Sequence, residues 1–254
     1  MSETNLIPST ETLTSLTTEE LKEKLITLTK PRDQDSLSQK NKFYQTTLSP
    51  LFEELATRNL VRNPQEQSNL VIGVWKPIWS TIPFQDILPG RQREQSYQIF
   101  RKDGYYANIA RYTPGTNLPL LRHFNVYPLV YDLMLIQKYE TTLEEWLIEN
   151  VSIKQALKLG GSKLTLDKAQ NWFEKEMNTP LEQVNSGKTK VKLPFLKKAN
   201  QKASKQLQGA AQAKPKLEHL YLDQDFRLVK SQRENKQRPS YTITVRADGV
   251  KPEI

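Results

Sequence analysis

From Leu70 onward the sequence stops spacing its apolar residues at helical intervals and breaks into short alternating or apolar runs divided by turn residues. Strands are predicted over 71–80, 91–101, 104–112, 126–138, 142–150 and 153–159, and again over 217–222, 226–230 and 241–246. The last run places Tyr241, Ile243 and Val245 on one face and Thr242, Thr244 and Arg246 on the other. The sharpest reversal is Lys102-Asp103-Gly104-Tyr105, where Asp-Gly supplies the positive φ of a tight hairpin. Pro114-Gly115 and Gly160-Gly161 mark further turns. One helical stretch interrupts the series, with Leu166, Ala169, Trp172, Phe173 and Met177 at helical spacing and Pro180 as its stop. Adjacent antiparallel strands expose their edges unless the sheet closes, so a mainly β fold is expected, an antiparallel barrel with one helix packed on it.

The preceding segment reads differently. Residues 1–16 are rich in Ser and Thr without pattern and are expected to be a disordered leader. Residues 17–66 form a helical extension. Thr17 and Glu20 make a capping box, after which Leu21, Leu25 and Leu28 share a face until Pro31. A second helix starts near Ser36. Ser49-Pro50 then reads as N-cap and first helical residue, with Leu51, Phe52 and Leu55 turned inward. Asn63-Pro64 closes this helical part. The barrel domain is expected over 67–246, with a tail at 247–254.

Charge divides the chain further. The net charge is +9, which alone suggests a nucleic acid or an anionic membrane as partner. Between Gly187 and Lys216, however, lie nine lysines and no acid, and removing those nine from the 37 basic residues leaves 28, equal to the 28 acidic ones. The basicity therefore belongs to an insertion, taken as 186–216 and also rich in Ala and Gln. It reads as a solvated linker, as a tether to an anionic membrane surface, or as a nucleic-acid arm. Lys190, Lys192, Phe195, Lys197 and Lys198 are the candidate membrane contacts. A nucleic-acid partner is not expected, because the insertion lacks arginines and interleaved aromatics.

Several chemistries are excluded or disfavoured. The chain has no cysteine, hence no disulfide framework, zinc-thiolate site or thiol nucleophile. His123 and His219 are the only histidines and have no ligand-spaced partners. No Gly-rich phosphate loop or triad spacing occurs. No stretch approaches the roughly 20 apolar residues that span a bilayer. The N-terminus has neither a secretory apolar region nor Arg-rich transit character, so a cytoplasmic, peripherally membrane-associated protein is expected.

Two motifs carry more information. Gly73-Val74-Trp75-Lys76-Pro77-Ile78-Trp79-Ser80-Thr81 opens the first strand with Gly-x-Trp, which lets the backbone bend closely while an indole plugs one barrel end. Near the far end stands Tyr221-Leu222-Asp223-Gln224-Asp225-Phe226-Arg227-Leu228. Together they resemble the PAP/fibrillin (plastid-lipid-associated protein) family, in a cyanobacterial-type member, over most of 17–246. The lysine-rich insertion and the ending at Arg238-Pro239 depart from the family pattern. The resemblance implies a lipocalin-like barrel and a non-catalytic role in binding, storing or carrying a lipophilic molecule such as a carotenoid, quinone or fatty-acid derivative, near photosynthetic (thylakoid) membranes.

The site residues follow from these readings. Trp79, Tyr97, Ile99, Ile109, Tyr131, Leu133 and Leu135 are the candidates to line a pocket. Gly73, Trp75, Asp223 and Arg227 are expected to seal the barrel, with Arg227 stacked on Trp75. Asp223 and Asp225 read as turn residues in preference to a catalytic pair. Neither a metal nor a cofactor is expected beyond a bound lipid, carotenoid or quinone, and no residue is assigned a catalytic role. An assembly scaffold of the photosynthetic membrane and a bilin-handling barrel enzyme remain the alternatives.

Overall fold

The computed structural model describes residues 13–83, 90–113, 129–159, 162–179, 215–232 and 237–247. The alternating runs form eight antiparallel strands: β1 Gly73–Ser80, β2 Arg91–Phe100, β3 Tyr105–Tyr112, β4 Leu129–Thr141, β5 Trp146–Leu159, β6 Lys216–Leu222, β7 Phe226–Gln232 and β8 Ser240–Arg246. Each strand pairs with its neighbour in sequence, and β8 returns to β1, so the sheet closes in a ring. The weakest seam is β5 to β6, joined among the described residues at Trp146–Leu217 and Leu147–Lys216. At the β2–β3 hairpin Gly104 has φ 82°, and Arg101 N–H donates to the Tyr105 carbonyl across it.

Two predicted strands, 142–150 and 153–159, are one. Gln137 faces Asn150 while Ile136 faces Ser152, so Val151 is an extra residue in β5. Such a bulge inverts the alternation beyond it, which makes a continuous strand read as two. The basic insertion also ends earlier than expected, because Lys216 already belongs to β6 and pairs with Gln232.

The helices are α1 Thr18–Thr29, α2 Leu37–Phe43, α3 Ser49–Thr57, α4 Pro64–Leu70 and α5 Leu166–Met177. Thr17 and Glu20 make the reciprocal capping box of α1, and Ser36 and Gln39 that of α2. Ser49 does not restart a helix. A π turn, Tyr44–Leu48, joins α2 to α3 without a break. Pro50 has no N–H for the Thr46 carbonyl and would crowd it; a widened turn just before the proline accommodates both defects. Asn63-Pro64 does not end the helical part but starts α4, with Asn63 as N-cap and Pro64 in the first turn.

Strand alternation is used on both faces. Outside β1, β6, β7 and β8, the rings and chains of Trp79, Tyr221, Phe226, Leu228, Tyr241 and Ile243 join Leu21, Leu25, Leu51, Phe52 and Leu55 of α1 and α3 in one core. Outside β2, β3 and β4, Tyr97, Ile99, Ala107, Ile109, Met134 and Ile136 pack on Ala169 and Phe173 of α5. The most regular apolar positions therefore face the helices, and the ring's interior receives the residues between them. Ion pairs add to these contacts: Arg111 of β3 holds Asp132 of β4 at 2.6 Å, Lys40 of α2 holds Asp33 at 3.1 Å, and Lys22 of α1 holds Asp223 beside β6 at 2.6 Å.

Candidate functional site

One end of the ring is plugged by aromatic side chains. Gly73, with φ 114°, begins β1 in a conformation open to glycine, and two residues on the Trp75 indole N–H donates to the Val71 carbonyl at 2.7 Å. Around it lie Phe100, Tyr106, Tyr139, Trp146, Ile148 and Leu222, with Phe100 and Tyr106 stacked at 4.6 Å. The cation over Trp75 is chiefly Arg246, whose guanidinium carbon lies 4.1 Å from the ring centre. Arg246 also donates to the carbonyls of Ile72 and Leu70, each at 2.7 Å, which locks the end of β8 onto the approach to β1.

The expected Trp75–Arg227 contact is present, with the guanidinium carbon 5.9 Å from the ring centre, but it is the longer of the two cation contacts to Trp75, and Arg227 lies closer to Phe100, at 4.7 Å. A strand later than β7 supplies the nearer arginine because Arg246, not Arg227, is the register partner of Trp75. Asp223 lies at the same end, directly after Leu222 of the plug. It sits in the β6–β7 turn, accepts from the Asp225 and Phe226 amides at 2.8 and 2.7 Å and binds Lys22 of α1. Burial pushes its carboxyl up, but the bonds from Lys22 and those amides outweigh that and hold it below the usual carboxylate range.

Above the plug the ring encloses a cavity of about 450 Å³, within the range of small-molecule sites. Its apolar wall comprises Ala110, Leu133, Leu135, Ile148, Ile153 and Val229. Its polar residues include Gln98, Asn108, Gln137 and Asn150, and its rim includes Ile82, Pro83, Pro215, Gln237 and Arg238. Asn108 donates to Gln137 at 2.5 Å and Gln137 to Asn150 at 2.6 Å, a relay across three strands.

Of the pocket candidates, Leu133 and Leu135 line this space. Tyr131 shares their face of β4 one step toward the rim, and its hydroxyl donates to Gln155 at 2.6 Å. Tyr97 and Ile109 form part of the cavity wall as expected, although both also pack against α5. Trp79 and Ile99 are corrected: Trp79 is buried among the helices and Ile99 packs on α5. The reason is register: Leu135 faces Asn108, and Asn108 faces Gln98. Odd positions on β4 thus share the interior with even positions on β2 and β3.

Arg227 is the interior group that sequence reading placed but whose surroundings it missed. It is 2% exposed, lines the cavity, and donates to Gln98 Oε1 and His219 Nε2, both at 2.9 Å. Burial lowers its pKa to about 9, with a further push from Arg246 and an opposing one from Tyr106. It therefore stays charged at neutral pH. His219 is held well below its ordinary range by burial and then by Arg227, so its ring is the neutral acceptor. Its Nδ1 has no partner.

A second cavity of about 470 Å³ lies between 56–67 and strands β5 and β6. Four of its charged residues pair with one another, Lys216 with Glu145 and Lys230 with Glu218, each at 2.9 Å. Lys190, Lys192, Phe195, Lys197, Lys198 and His123 lie outside the described residues. Among the described residues no group of three or more His, Asp or Glu is placed to hold a metal ion, and no helix is long and apolar enough to cross a membrane. Compared with known proteins, the chain matches no family model and no curated sequence.

Proposed function

We propose that the chain binds a lipophilic molecule, without transforming it, inside a lipocalin-like antiparallel barrel. The observation that carries this reading is the cavity of about 450 Å³ enclosed by the ring and walled by Leu133, Leu135, Ile148, Ile153 and Val229. Inward side chains can fill an eight-stranded closed sheet, but here apolar residues are left around an open volume. Their presence around an open volume suits an apolar guest. The resemblance to the PAP/fibrillin family supports a carotenoid, quinone or fatty-acid derivative as that guest and a photosynthetic membrane as its setting, with the basic segment within 187–214 attaching the protein to anionic lipid.

Organic extraction of the purified protein followed by mass spectrometry tests the binding. A stoichiometric pigment, quinone or fatty acid is expected, and its yield should fall severalfold in Leu135→Trp, whose indole occupies the cavity. An empty wild-type protein that also fails to take up added ligands refutes the reading. Loss of flotation with anionic vesicles on deleting 187–214 checks the attachment.

A further inference from the structure

Five cations are buried among the described residues: Lys22, Lys40, Arg91, Arg111 and Arg227. Four have a carboxylate. Lys22 is paired with Asp223, Lys40 with Asp33 and Arg111 with Asp132, and Arg91 lies 3.9 Å from Asp33. Arg227 alone has no acid within ion-pair distance among the described residues. The groups around it are neutral or positive: Gln98 from β2, Tyr106 from β3, His219 from β6 and Arg246 from β8. An unpaired buried charge is strongly disfavoured, and proteins that keep one generally supply a counter-ion. No described residue supplies its carboxylate, which is therefore to be sought in what enters the cavity.

Position supports the same conclusion. Arg227 and Ser231 both line the cavity and stand four residues, about 13 Å, apart along β7. Val229 of the apolar wall lies between them. A guest with an apolar body and one charged end would be neutralised at the bottom and desolvated along its length. One guanidinium with amide neighbours balances a single negative charge, which favours a carboxylate over a doubly charged phosphate.

We propose that Arg227 receives the carboxylate of a long-chain monocarboxylate, with Gln98 and His219 orienting the guanidinium. This rests on reading the ring's interior as a ligand cavity, so the experiment separates the two. Delipidated full-length protein is titrated calorimetrically at neutral pH with oleic acid and, separately, with oleyl alcohol, which has the same chain without the charge. Wild type is expected to prefer the acid by about tenfold or more, the effect of a charge-assisted hydrogen bond. Arg227→Met is expected to lose the preference for the acid over the alcohol. Should that variant not fold, the wild-type ratio decides. Equal binding of acid and alcohol by wild type overturns the inference and leaves the cavity reading standing. Binding of neither overturns both.

Discussion

Replacing Arg227 by methionine should make the empty protein more stable. The ordinary guanidinium value is 12.5 and burial draws this one to about 9. With each pH unit between the two worth about 1.4 kcal/mol, keeping Arg227 charged costs the folded state on the order of 5 kcal/mol. Methionine has a similar length and removes that cost. It also removes two hydrogen bonds, to Gln98 and His219, a loss of about 1 kcal/mol each. The contact over Phe100 at 4.7 Å adds a loss of about 0.5–1 kcal/mol. The balance is a gain of about 2 kcal/mol, or about 4–8 °C in Tm for a domain of this size.

The assay is thermal and urea unfolding of delipidated wild type and Arg227→Met, followed by the near-ultraviolet signal of the buried tryptophans. A variant that melts higher when empty, and gains less than wild type from added oleate, fits a charge awaiting its partner. A variant that melts lower by a similar margin refutes the reasoning. It would mean that the interior already neutralises Arg227 and that this arginine stabilises the fold as a structural element.

Three further outcomes are expected. Asp132→Asn leaves Arg111 buried without its carboxylate and should cost about 3–5 kcal/mol in urea unfolding, in contrast to the gain at Arg227; a cost below about 1 kcal/mol would show Arg111 to be neutralised elsewhere. His219 is held well below its ordinary value of 6.5, so below that pH the unfolded chain takes up a proton that the folded one refuses. Its contribution is present above about pH 6.5 and is lost as pH falls, at up to about 1.4 kcal/mol per pH unit, and His219→Gln should flatten that slope between about pH 6.5 and 5. Gly104→Ala forces a side chain onto φ +82° with its Cβ 3.2 Å from the Tyr139 carbonyl, and should cost about 1–2 kcal/mol by thermal melting.

Much of the fold is legible because the signals are local. Thr17 with Glu20 specifies a capping box from four residues, and Asp103-Gly104 specifies a reversal from two. Signals that depend on a partner are misread. Val151 becomes extra only because Ile136 and Gln137 oppose Ser152 and Asn150, so one strand looks like two. Ser49-Pro50 carries a start signal, but the helix before it continues through a π turn that no local preference announces. Asn63-Pro64 resembles a terminator and an initiator equally, and the burial of Pro64 and Gln67 against the ring decides between them.

The cavity is less legible for a reason that concerns the whole architecture. In a strand with one solvated face, apolar alternation marks the inside. Here helices cover the outside of most strands, so the cleanest alternation, as in Tyr97, Ile99, Ala107 and Ile109, marks the helix-packed face. The interior falls to intervening positions such as Gln98, Asn108 and Ala110, which read as surface. Polar residues on a strand that is buried on both sides are costly unless they are bonded or meet a guest. Gln98, Asn108, Gln137 and Asn150 meet that demand among themselves and with Arg227. Arg227 has amides and a neutral imidazole where a carboxylate belongs, and its sequence neighbours could not reveal this, because every group that surrounds it comes from another strand.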